Sequence, residues 1–276
     1  MVLSPWLGSL SGKIELQLAK LKLRLYLLLT HGHFKGWERR VLFFRFGIPL
    51  VLKRTDQVFC TEADALRFLN RAVPHLPIPK LIDSFELDGA TYTLMTKLPG
   101  RPLLEIPTLE SDQLAPIIND VLYILEELWR IPQPASFNGR VMASASGDGL
   151  LHPVGGYEDF GGPYASTLDL YKGMIMNPAG VSSEIMHTLA EDPIVWVHTD
   201  LRMQNMLIEK GRVTGIVDWE WTGWLPRHWQ LHILRRPGPF CVGAWVRYWL
   251  FEHHFDDTIE AAYTASTTEG VLTWPI

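Results

Sequence analysis

The sequence predicts an α+β fold with two unequal lobes, a small β-rich N-terminal lobe and a larger, mainly helical C-terminal lobe. Before Pro99-Gly100, short β-prone runs surround one helical run, and the strongest helical pattern of the chain follows that pair. A length of 276 residues allows two lobes around a shared cleft. We therefore place the N-terminal lobe at residues 1–98 and the C-terminal lobe at residues 99–276.

Two hairpins and one helix are predicted in the N-terminal lobe. The four β-prone runs are residues 41–46, 50–54, 80–87 and 91–97. Turn residues join the first two runs, and Asp88-Gly89 between the last two is a strong hairpin signal. Between the hairpins, residues 61–69 have apolar side chains at helical spacing and begin with Thr61 as a candidate N-cap.

Helices with a few short strands are predicted in the C-terminal lobe. Residues 111–130 have a helical apolar period and should form one long buried helix. Further helices are expected at residues 166–176 and 182–189 and in the Trp-rich tail at 224–255, and strands at 194–197, 206–208 and 213–217. Residues 132–163 are rich in Gly, Ser and Pro, which predicts a long surface loop.

The N-terminal segment 13–29 is rich in leucine and is interrupted by charged and polar residues. Its uninterrupted apolar run is too short for a membrane span, and no secretory cleavage pattern follows it. An amphipathic helix packed on the body is the preferred interpretation, and a basic helix on a membrane surface is the alternative.

Charge and cysteine content narrow the classes of partner and compartment. A formal net charge of −5 argues against a nucleic-acid-binding protein. The only cysteines, Cys60 and Cys241, are far apart in the sequence, which indicates neither a disulfide framework nor a zinc site. We expect a cytoplasmic protein with no transmembrane segment. The oligomeric state is not determined by the sequence.

Three oxygen-bearing side chains follow two neighbouring short strands of the C-terminal lobe. Asp200 and Asn205 come after the first strand, and Asp218 closes another strand. A carboxylate exposed at the end of a strand can face a hydroxyl nucleophile. The amide and the second carboxylate are hard oxygen ligands of the kind that suits Mg²⁺ bound together with phosphate oxygens.

At these residues the chain resembles the aminoglycoside phosphotransferase and choline kinase superfamily, in particular its fungal-type small-molecule kinase-like members. The motifs are His198-Thr199-Asp200-Leu201 with Asn205, and Ile216-Val217-Asp218-Trp219-Glu220 with Gly223. The resemblance implies a two-lobed protein-kinase-like fold and transfer of the ATP γ-phosphoryl group to a hydroxyl of a small metabolite or antibiotic-like substrate. It also implies that Asp200 is the catalytic base, that Asn205 and Asp218 bind Mg²⁺, and that His198 braces the loop.

The same resemblance implies an ATP site in the N-terminal lobe. Lys53 on its strand corresponds to the lysine that contacts the phosphates, and Glu62 on the next helix is its partner, with Asp64 as a weaker alternative. The strand and hinge that hold adenine correspond to residues 91–100, in which Met95 guards the pocket and the backbone of Thr96 and Leu98 contacts the base. A glycine-rich phosphate loop is missing, and the glycines near its place are Gly32, Gly36 and Gly47.

The sequence also permits other functions and other substrate sites. A catalytically weak pseudokinase that serves as a binding or regulatory module is the main alternative to the enzyme, and a protein kinase is less favoured because Asp-Phe-Gly and Ala-Pro-Glu segments are missing. The tryptophans of the tail are assigned to the core, with Trp221 and Trp224 as candidate substrate contacts. The acidic residues of the C-terminal region are assigned to a solvated surface rather than to a site for a cationic substrate; they are Glu252, Asp256, Asp257 and Glu260.

Overall fold

The computed structural model describes residues 5–35, 40–56, 61–106, 111–151, 160–174, 181–236 and 243–268. Gly36, Cys60 and Cys241 lie outside the described residues, as does the segment 152–159 of the predicted loop. Among the described residues, no helix is both long and apolar enough to cross a bilayer.

The chain forms an α+β structure in which a four-stranded sheet precedes a mainly helical region. Helices α1 to α8 span Pro5–Leu29, Glu62–Ala72, Ser111–Trp129, Thr167–Met174, Ser183–Glu191, Trp229–Arg235, Gly243–Arg247 and Asp257–Thr267. Strands β1 to β11 span Val41–Phe43, Leu50–Thr55, Leu81–Leu87, Ala90–Thr96, Arg101–Pro102, Leu150–Leu151, Phe160–Gly161, Ile194–His198, Met206–Glu209, Arg212–Ile216 and Thr222–Pro226. The predicted fold class is confirmed, and the division after residue 98 stays a prediction.

Both predicted hairpins are present in the N-terminal sheet, whose antiparallel strands follow the order β1-β2-β4-β3. Asp88 and Gly89 join β3 to β4 with φ angles of 51° and 74°, the left-handed backbone that a tight two-residue turn requires. Strand β1 ends earlier than predicted. Phe46 and Gly47 have φ angles of 58° and 70°, so the chain already turns there and cannot continue the strand.

The helix predicted at residues 61–69 is confirmed as α2, but the N-cap prediction for Thr61 is wrong. Thr61 has helical backbone angles, and its side chain makes no capping hydrogen bond to α2. Its hydroxyl instead donates a hydrogen bond to the backbone carbonyl of Glu220. A contact distant in sequence has therefore displaced the local capping contact.

The C-terminal region agrees with the predicted helices and strands except in its tail and in the predicted surface loop 132–163. In that loop β6 pairs with β7, and Val141, Met142 and Ala143 are fully buried in the core. The long helix is α3, and the three predicted strands are β8, β9 and β10. The tail was predicted to be helical from residue 224, yet Thr222–Pro226 is strand β11, which pairs antiparallel with β8. Trp224 lies in this strand and contacts Trp196 of β8 at a ring-centroid distance of 5.2 Å. This pairing, which no local pattern encodes, overrides the helical preference.

Tryptophan side chains occupy the centre of the C-terminal core, as the sequence suggests. The fully buried ones are Trp196, Trp219, Trp224, Trp229, Trp245 and Trp249. Trp224 was a candidate substrate contact, and its complete burial excludes that role. Trp221 is partly exposed, and its backbone carbonyl accepts hydrogen bonds from the hydroxyl and the amide of Thr199.

One side of α1 packs on the N-terminal sheet from Ala19 onwards, as the preferred interpretation of the Leu-rich segment predicts, while residues 12–18 are exposed. Ala19 is buried in the sheet cluster, and Leu23 and Tyr26 pack against that cluster. Asp83 of β3 accepts a hydrogen bond from the Tyr26 hydroxyl and binds the Lys22 ammonium, each at 2.8 Å. Packing and two polar contacts therefore fix the rotation of α1 about its axis.

Replacing Gly100 by Ala is expected to lower the free energy of unfolding by about 2 kcal/mol. Gly100 has a φ angle of 98°, and a methyl group there would lie 2.6 Å from Thr214 Oγ1 and 2.9 Å from the backbone of Ile208. Gly47→Ala is the matched control, since its φ angle is 70° and its methyl group would have open space. Urea unfolding of both variants measures the difference, and equal destabilisation would contradict the steric argument.

Candidate active site

Lys53 lies at the centre of a buried cluster of carboxylates, which come from α2 and from the turn after β10. Its Nζ atom lies 2.5 Å from Asp218 Oδ1, 3.0 Å from Glu62 Oε2 and 3.2 Å from Glu220 Oε2. The Lys53 side chain is only 10% exposed. The structure therefore brings together Lys53, Glu62 and Asp218, as predicted, and adds Glu220 as a third carboxylate.

The choice between the two candidate partners of Lys53 is settled by geometry. Glu62 is the first residue of α2, and its side chain is 1% exposed next to Lys53. Asp64 forms an ion pair with Arg67 on the same helix, and both of those side chains are about half exposed. Asp64 is therefore a surface residue.

A backbone turn brings both Asp218 and Glu220 to Lys53. Asp218 has a φ angle of 67°, in the left-handed region, and a 3₁₀ turn over Trp219–Trp221 follows it. The amide of Trp219 donates to Glu62 Oε1 at 3.2 Å, and the hydroxyl of Thr61 donates to the Glu220 carbonyl. The start of α2 is thus bonded directly to the turn that carries both carboxylates.

Burial and charge set the protonation of this cluster. Burial by itself lowers the pKa of Lys53, but the carboxylates of Glu62, Asp218 and Glu220 raise it well above its usual value. Burial raises the pKa of Glu62 to about 7 despite the nearby ammonium. Asp218 is also penalised by burial, but Lys53 outweighs this penalty and lowers the pKa of Asp218. Lys53 is therefore cationic, and Asp218 is ionised.

Asp200 lies in the loop after β8 with both carboxylate oxygens engaged. Asn205 Nδ2 donates to Asp200 Oδ2 at 2.7 Å, and Arg202 Nε lies 3.0 Å from Asp200 Oδ1. Burial raises the pKa of Asp200 to about 6, although Arg202 and the Asn205 hydrogen bond lower it. The carboxylate is thus oriented from two sides, and burial holds its pKa above the ordinary range of an aspartate.

His198 links the Asp200 loop to the strand before Asp218. Its Nδ1 atom accepts a hydrogen bond from the Asp200 amide, and Nε2 lies 3.2 Å from the carbonyl of Val217. An amide must donate and a carbonyl must accept, so the ring is neutral with its proton on Nε2. Burial lowers the pKa of His198 to about 4, which agrees with this state. The side-chain amide of Gln230 also bonds the backbone amide and carbonyl of His198.

The predicted adenine-binding segment runs along β4 into the hinge. Met95 is buried in the main core cluster. The Thr96 amide donates to the carbonyl of Lys80 at 3.0 Å, so this amide is already engaged within the sheet. Leu98 packs against Gly215, where even a methyl group would approach Leu98 Cδ1 to 2.8 Å. The hinge is thus held close to β10, the strand that leads to Asp218.

The donor set fits Mg²⁺ bound together with phosphate. Within the described ranges, no group of three His, Cys, Asp or Glu side chains is arranged to hold a metal alone. Mg²⁺ commonly takes one or two carboxylates and completes its shell with water and phosphate oxygens. Asp218 is the most exposed carboxylate of the Lys53 cluster, with 35% of its side chain exposed. The backbone amide of Val217 donates to the backbone carbonyl of Asn205 at 2.9 Å, so Asn205 lies beside the residue that precedes Asp218.

Comparison with known proteins gives the family. The profile described as the phosphotransferase enzyme family matches residues 34–266, which include the Lys53 cluster and the Asp200 loop. The chain belongs to the phosphotransferase enzyme family. The aminoglycoside phosphotransferase and choline kinase-like resemblance is thereby confirmed. No curated protein matches the sequence significantly.

Solved structures of phosphotransferases share the fold at low sequence identity. A thermostable mutant of aminoglycoside phosphotransferase APH(4)-Ia in its apo form has a TM-score of 0.59 and 19% identity, with 86% of this chain and 83% of that chain covered. The streptomycin-ATP-APH(2")-IIa ternary complex has a TM-score of 0.53 and 15% identity, with coverage of 86% and 81%. A ternary complex of an APH(4)-Ia mutant with AMP-PNP and hygromycin B has a TM-score of 0.52 and 16% identity, with 74% of this chain and 70% of that chain covered.

Sequence reasoning gave no role to three residues of the candidate site, of which it had named only Glu220, as part of a motif. Glu220 contacts Lys53, Arg202 contacts Asp200, and Gln230 holds the backbone of His198. The first two lie two residues after a predicted site aspartate, so this spacing is a signal that could have indicated them. Gln230 is the second residue of α6, and no feature of the sequence relates it to the motif.

Proposed function

We propose that this chain is an ATP- and Mg²⁺-dependent phosphotransferase that moves the γ-phosphoryl group to a hydroxyl of a small molecule. The observation that carries the proposal is the Lys53 cluster, in which an ammonium from the N-terminal sheet meets Asp218 and Glu62. His198 joins this cluster to the Asp200 loop through Val217. Phosphate-binding and acceptor-activating groups thus belong to one connected site.

Lys53 and Asp218 exchange partners when nucleotide binds. In the structure, the ammonium of Lys53 contacts Asp218 directly, which balances part of the negative charge of the cluster. In the proposed complex, Lys53 contacts the α- and β-phosphates, while Glu62 keeps it in position. Asp218 and Asn205 then hold Mg²⁺, which neutralises phosphate charge when it is bound. Met95, Thr96 and Leu98 line the adenine site in this proposal.

Asp200 is proposed to orient the acceptor hydroxyl and to take its proton. Its hydrogen bond from Asn205 and its ion pair with Arg202 fix the plane of the carboxylate. The oxygen of the acceptor attacks the γ-phosphorus as the bond to the bridging oxygen of ADP breaks, and the hydroxyl proton moves to Asp200. His198 stays neutral and holds the Asp200 loop in position. Positioning and electrostatics then supply most of the rate.

The acceptor is proposed to be a small hydroxylated compound, and aminoglycosides are one class to test because the similar structures include aminoglycoside complexes. The acidic residues near the C-terminus do not form a free anionic site. Glu260 binds Arg235 through both carboxylate oxygens, and Asp256 pairs with Arg227 and caps α8. Glu252, Asp256 and Asp257 are exposed, as the preferred interpretation from the sequence predicts. The assignment of Glu260 to a solvated surface is wrong, because its side chain is 14% exposed and its charge is bound by Arg235.

The alternative function is a nucleotide-binding module without turnover. The observation in its favour is the ion pair between Arg202 and Asp200, which holds a cation against the proposed base. A screen of hydroxylated metabolites and aminoglycosides with ATP and Mg²⁺, read by mass spectrometry for the gain of one phosphate, separates the two. The enzyme proposal predicts a phosphorylated product that the Asp200→Asn variant does not form. Nucleotide binding with no product from any compound favours the module.

The pH dependence of turnover follows from the state of Asp200. Since only the ionised carboxylate accepts a proton, and burial raises the pKa of Asp200 to about 6, kcat/KM should rise with pH and level off above about pH 7. The measurement is a pH profile from about 5 to 9 with a product-forming acceptor. A profile that falls through this range would contradict the role of Asp200 as a base.

A further inference from the structure

Helix α1 has a second apolar side, which the body of the protein leaves exposed. It consists of Ile14, Leu18, Leu21, Leu25 and Leu28, with exposed fractions of 53, 52, 64, 52 and 74%. Successive members are four, three, four and three residues apart, a spacing that keeps all five on one side of the helix. Exposed leucines that are scattered singly are ordinary, but a continuous row is not.

The row is held in a fixed outward orientation. Ala19, Leu23 and Tyr26 pack on the sheet from the other side of α1, and Asp83 binds both Tyr26 and Lys22. Rotation of the helix to bury the row would break these contacts. Residues 12–18 are exposed on all sides of the helix, so this part of α1 projects beyond the sheet.

The turn between β1 and β2 is bonded to the end of α1. The Arg45 amide donates to the carbonyl of Leu29 at 2.8 Å, and Arg45 Nε donates to the carbonyl of Thr30 at 2.7 Å. The next residue, Phe46, is 86% exposed. We call the row together with Phe46 the α1 face. The α1 face thus includes an exposed aromatic ring, a residue type that interfacial helices carry on their apolar side.

Positive charge lines one edge of the α1 face. Lys13, Lys20 and Arg24 are seven and four residues apart, so they form a row of their own beside the leucines. The other edge has Glu15 and Lys22, whose charges are opposite, and Lys22 is bound to Asp83. The α1 face is therefore locally cationic on a protein with a formal net charge of −5.

This charge pattern disfavours a second copy of the chain as the occupant of the face. In an antiparallel two-fold helix pair, each edge of one helix lies beside the same edge of the other. The basic row of one copy, Lys13, Lys20 and Arg24, would then lie beside the basic row of the other copy, and like charges repel. An anionic surface, by contrast, accepts the apolar row and the basic row together.

We propose that the α1 face binds the surface of an anionic lipid bilayer, with the Ile and Leu side chains and Phe46 in the interface and the basic row against acidic headgroups. The helix lies on the membrane and does not cross it. The active-site cluster is in contact with β2 and α2 rather than with α1, so the enzyme can bind lipid without a change in Lys53 or Asp200. The proposal is independent of the acceptor.

Vesicle flotation of the full chain with a C-terminal tag tests the proposal. Vesicles of phosphatidylcholine with about one third phosphatidylserine should bind the protein at least about tenfold more tightly than phosphatidylcholine alone. Raising the salt from about 0.1 M to about 0.5 M should weaken binding. The variants Lys20→Glu/Arg24→Glu and Leu21→Gln/Leu25→Gln should each lose about tenfold or more in affinity.

Two control variants reverse one lysine and remove one apolar side chain elsewhere on the surface. Lys210→Glu alters an exposed turn, and Phe251→Gln alters a side chain that is 80% exposed in the C-terminal region. Neither should change vesicle binding. Equal affinity for neutral and anionic vesicles, or no binding to either, would overturn the proposal. A dimer in analytical ultracentrifugation that Leu21→Gln/Leu25→Gln dissociates would also overturn it, because a second copy would then cover the face. The charge-reversal pair lies on the exposed edge, so it tests the proposal even if the leucine variant fails to fold.

Discussion

Replacing Asp200 by Asn is expected to lower kcat by about a thousandfold while the affinity for ATP changes by less than about threefold. Asn keeps the shape of the side chain, and its single oxygen can still accept the hydrogen bond from Asn205, but the acceptor for Arg202 is lost and the amide cannot take the proton of the phosphate acceptor. Lys53 and Asp218, which are proposed to bind nucleotide and metal, are untouched by the change. Steady-state kinetics with a product-forming acceptor, together with nucleotide titration, measure both effects.

The stability of the Asp200→Asn variant provides an internal check. Burial raises the pKa of Asp200 to about 6, above its ordinary value of 3.8. A raised pKa in the folded state means that stability is lost as the pH rises through about 6, because ionisation of the buried carboxyl is penalised. The variant should therefore unfold at the same or a higher temperature than the parent at pH 8. Asp88→Asn, in an exposed hairpin turn, is the control for both measurements. If the kcat of Asp200→Asn were within tenfold of that of the parent, Asp200 would not be the catalytic base.

Replacing Lys53 by Met is expected to abolish detectable ATP binding and to lower the free energy of unfolding by about 3 kcal/mol. The loss of the ammonium leaves Glu62, Asp218 and Glu220 close together without their common cation. Removal of one partner from a buried ion pair costs far more than replacement of both partners, because the remaining charges stay desolvated. Chemical denaturation and nucleotide titration measure the two effects.

A paired variant separates the structural effect of Lys53 from its role in phosphate binding. Lys53→Met/Glu62→Gln removes the most deeply buried carboxylate as well, since Glu62 is 1% exposed. It should recover part of the lost stability and none of the ATP affinity. If the single variant kept the parent's unfolding curve and its ATP affinity, the Lys53 cluster would have no part in the site.

Local chemistry explains why much of the fold was predictable. Asp88-Gly89 specifies a hairpin by its own backbone preferences, and the apolar period of α3 specifies a buried helix. Strand β11 was missed because its extended state depends on pairing with β8, which lies in a distant part of the sequence. The early end of β1 at Phe43 depends on left-handed residues in the turn, one of them a phenylalanine that gives no turn signal.

The residues of the candidate site that belong to a family motif were predictable from the sequence. The contacts that only the folded chain brings together were not. Lys53, Glu62 and Asp218 meet as the resemblance implied, although 165 residues separate Lys53 from Asp218. The sequence around Thr61 fits a helix N-cap, but the Thr61 hydroxyl donates its hydrogen bond to the backbone carbonyl of Glu220 instead. Whether Asn205, Met95, Thr96 and Leu98 contact metal and nucleotide stays a prediction.

Calorimetric titration of ATP with and without Mg²⁺, into the parent and into Asp218→Asn, shows whether the Lys53 cluster binds a nucleotide–metal pair. We expect ATP to bind to the parent at millimolar concentration or below, and more tightly with Mg²⁺ than without it. In Asp218→Asn the Mg²⁺ dependence should disappear. If ATP did not bind at millimolar concentration, or if both proteins had the same Mg²⁺ dependence, the Lys53 cluster would not be the nucleotide–metal site.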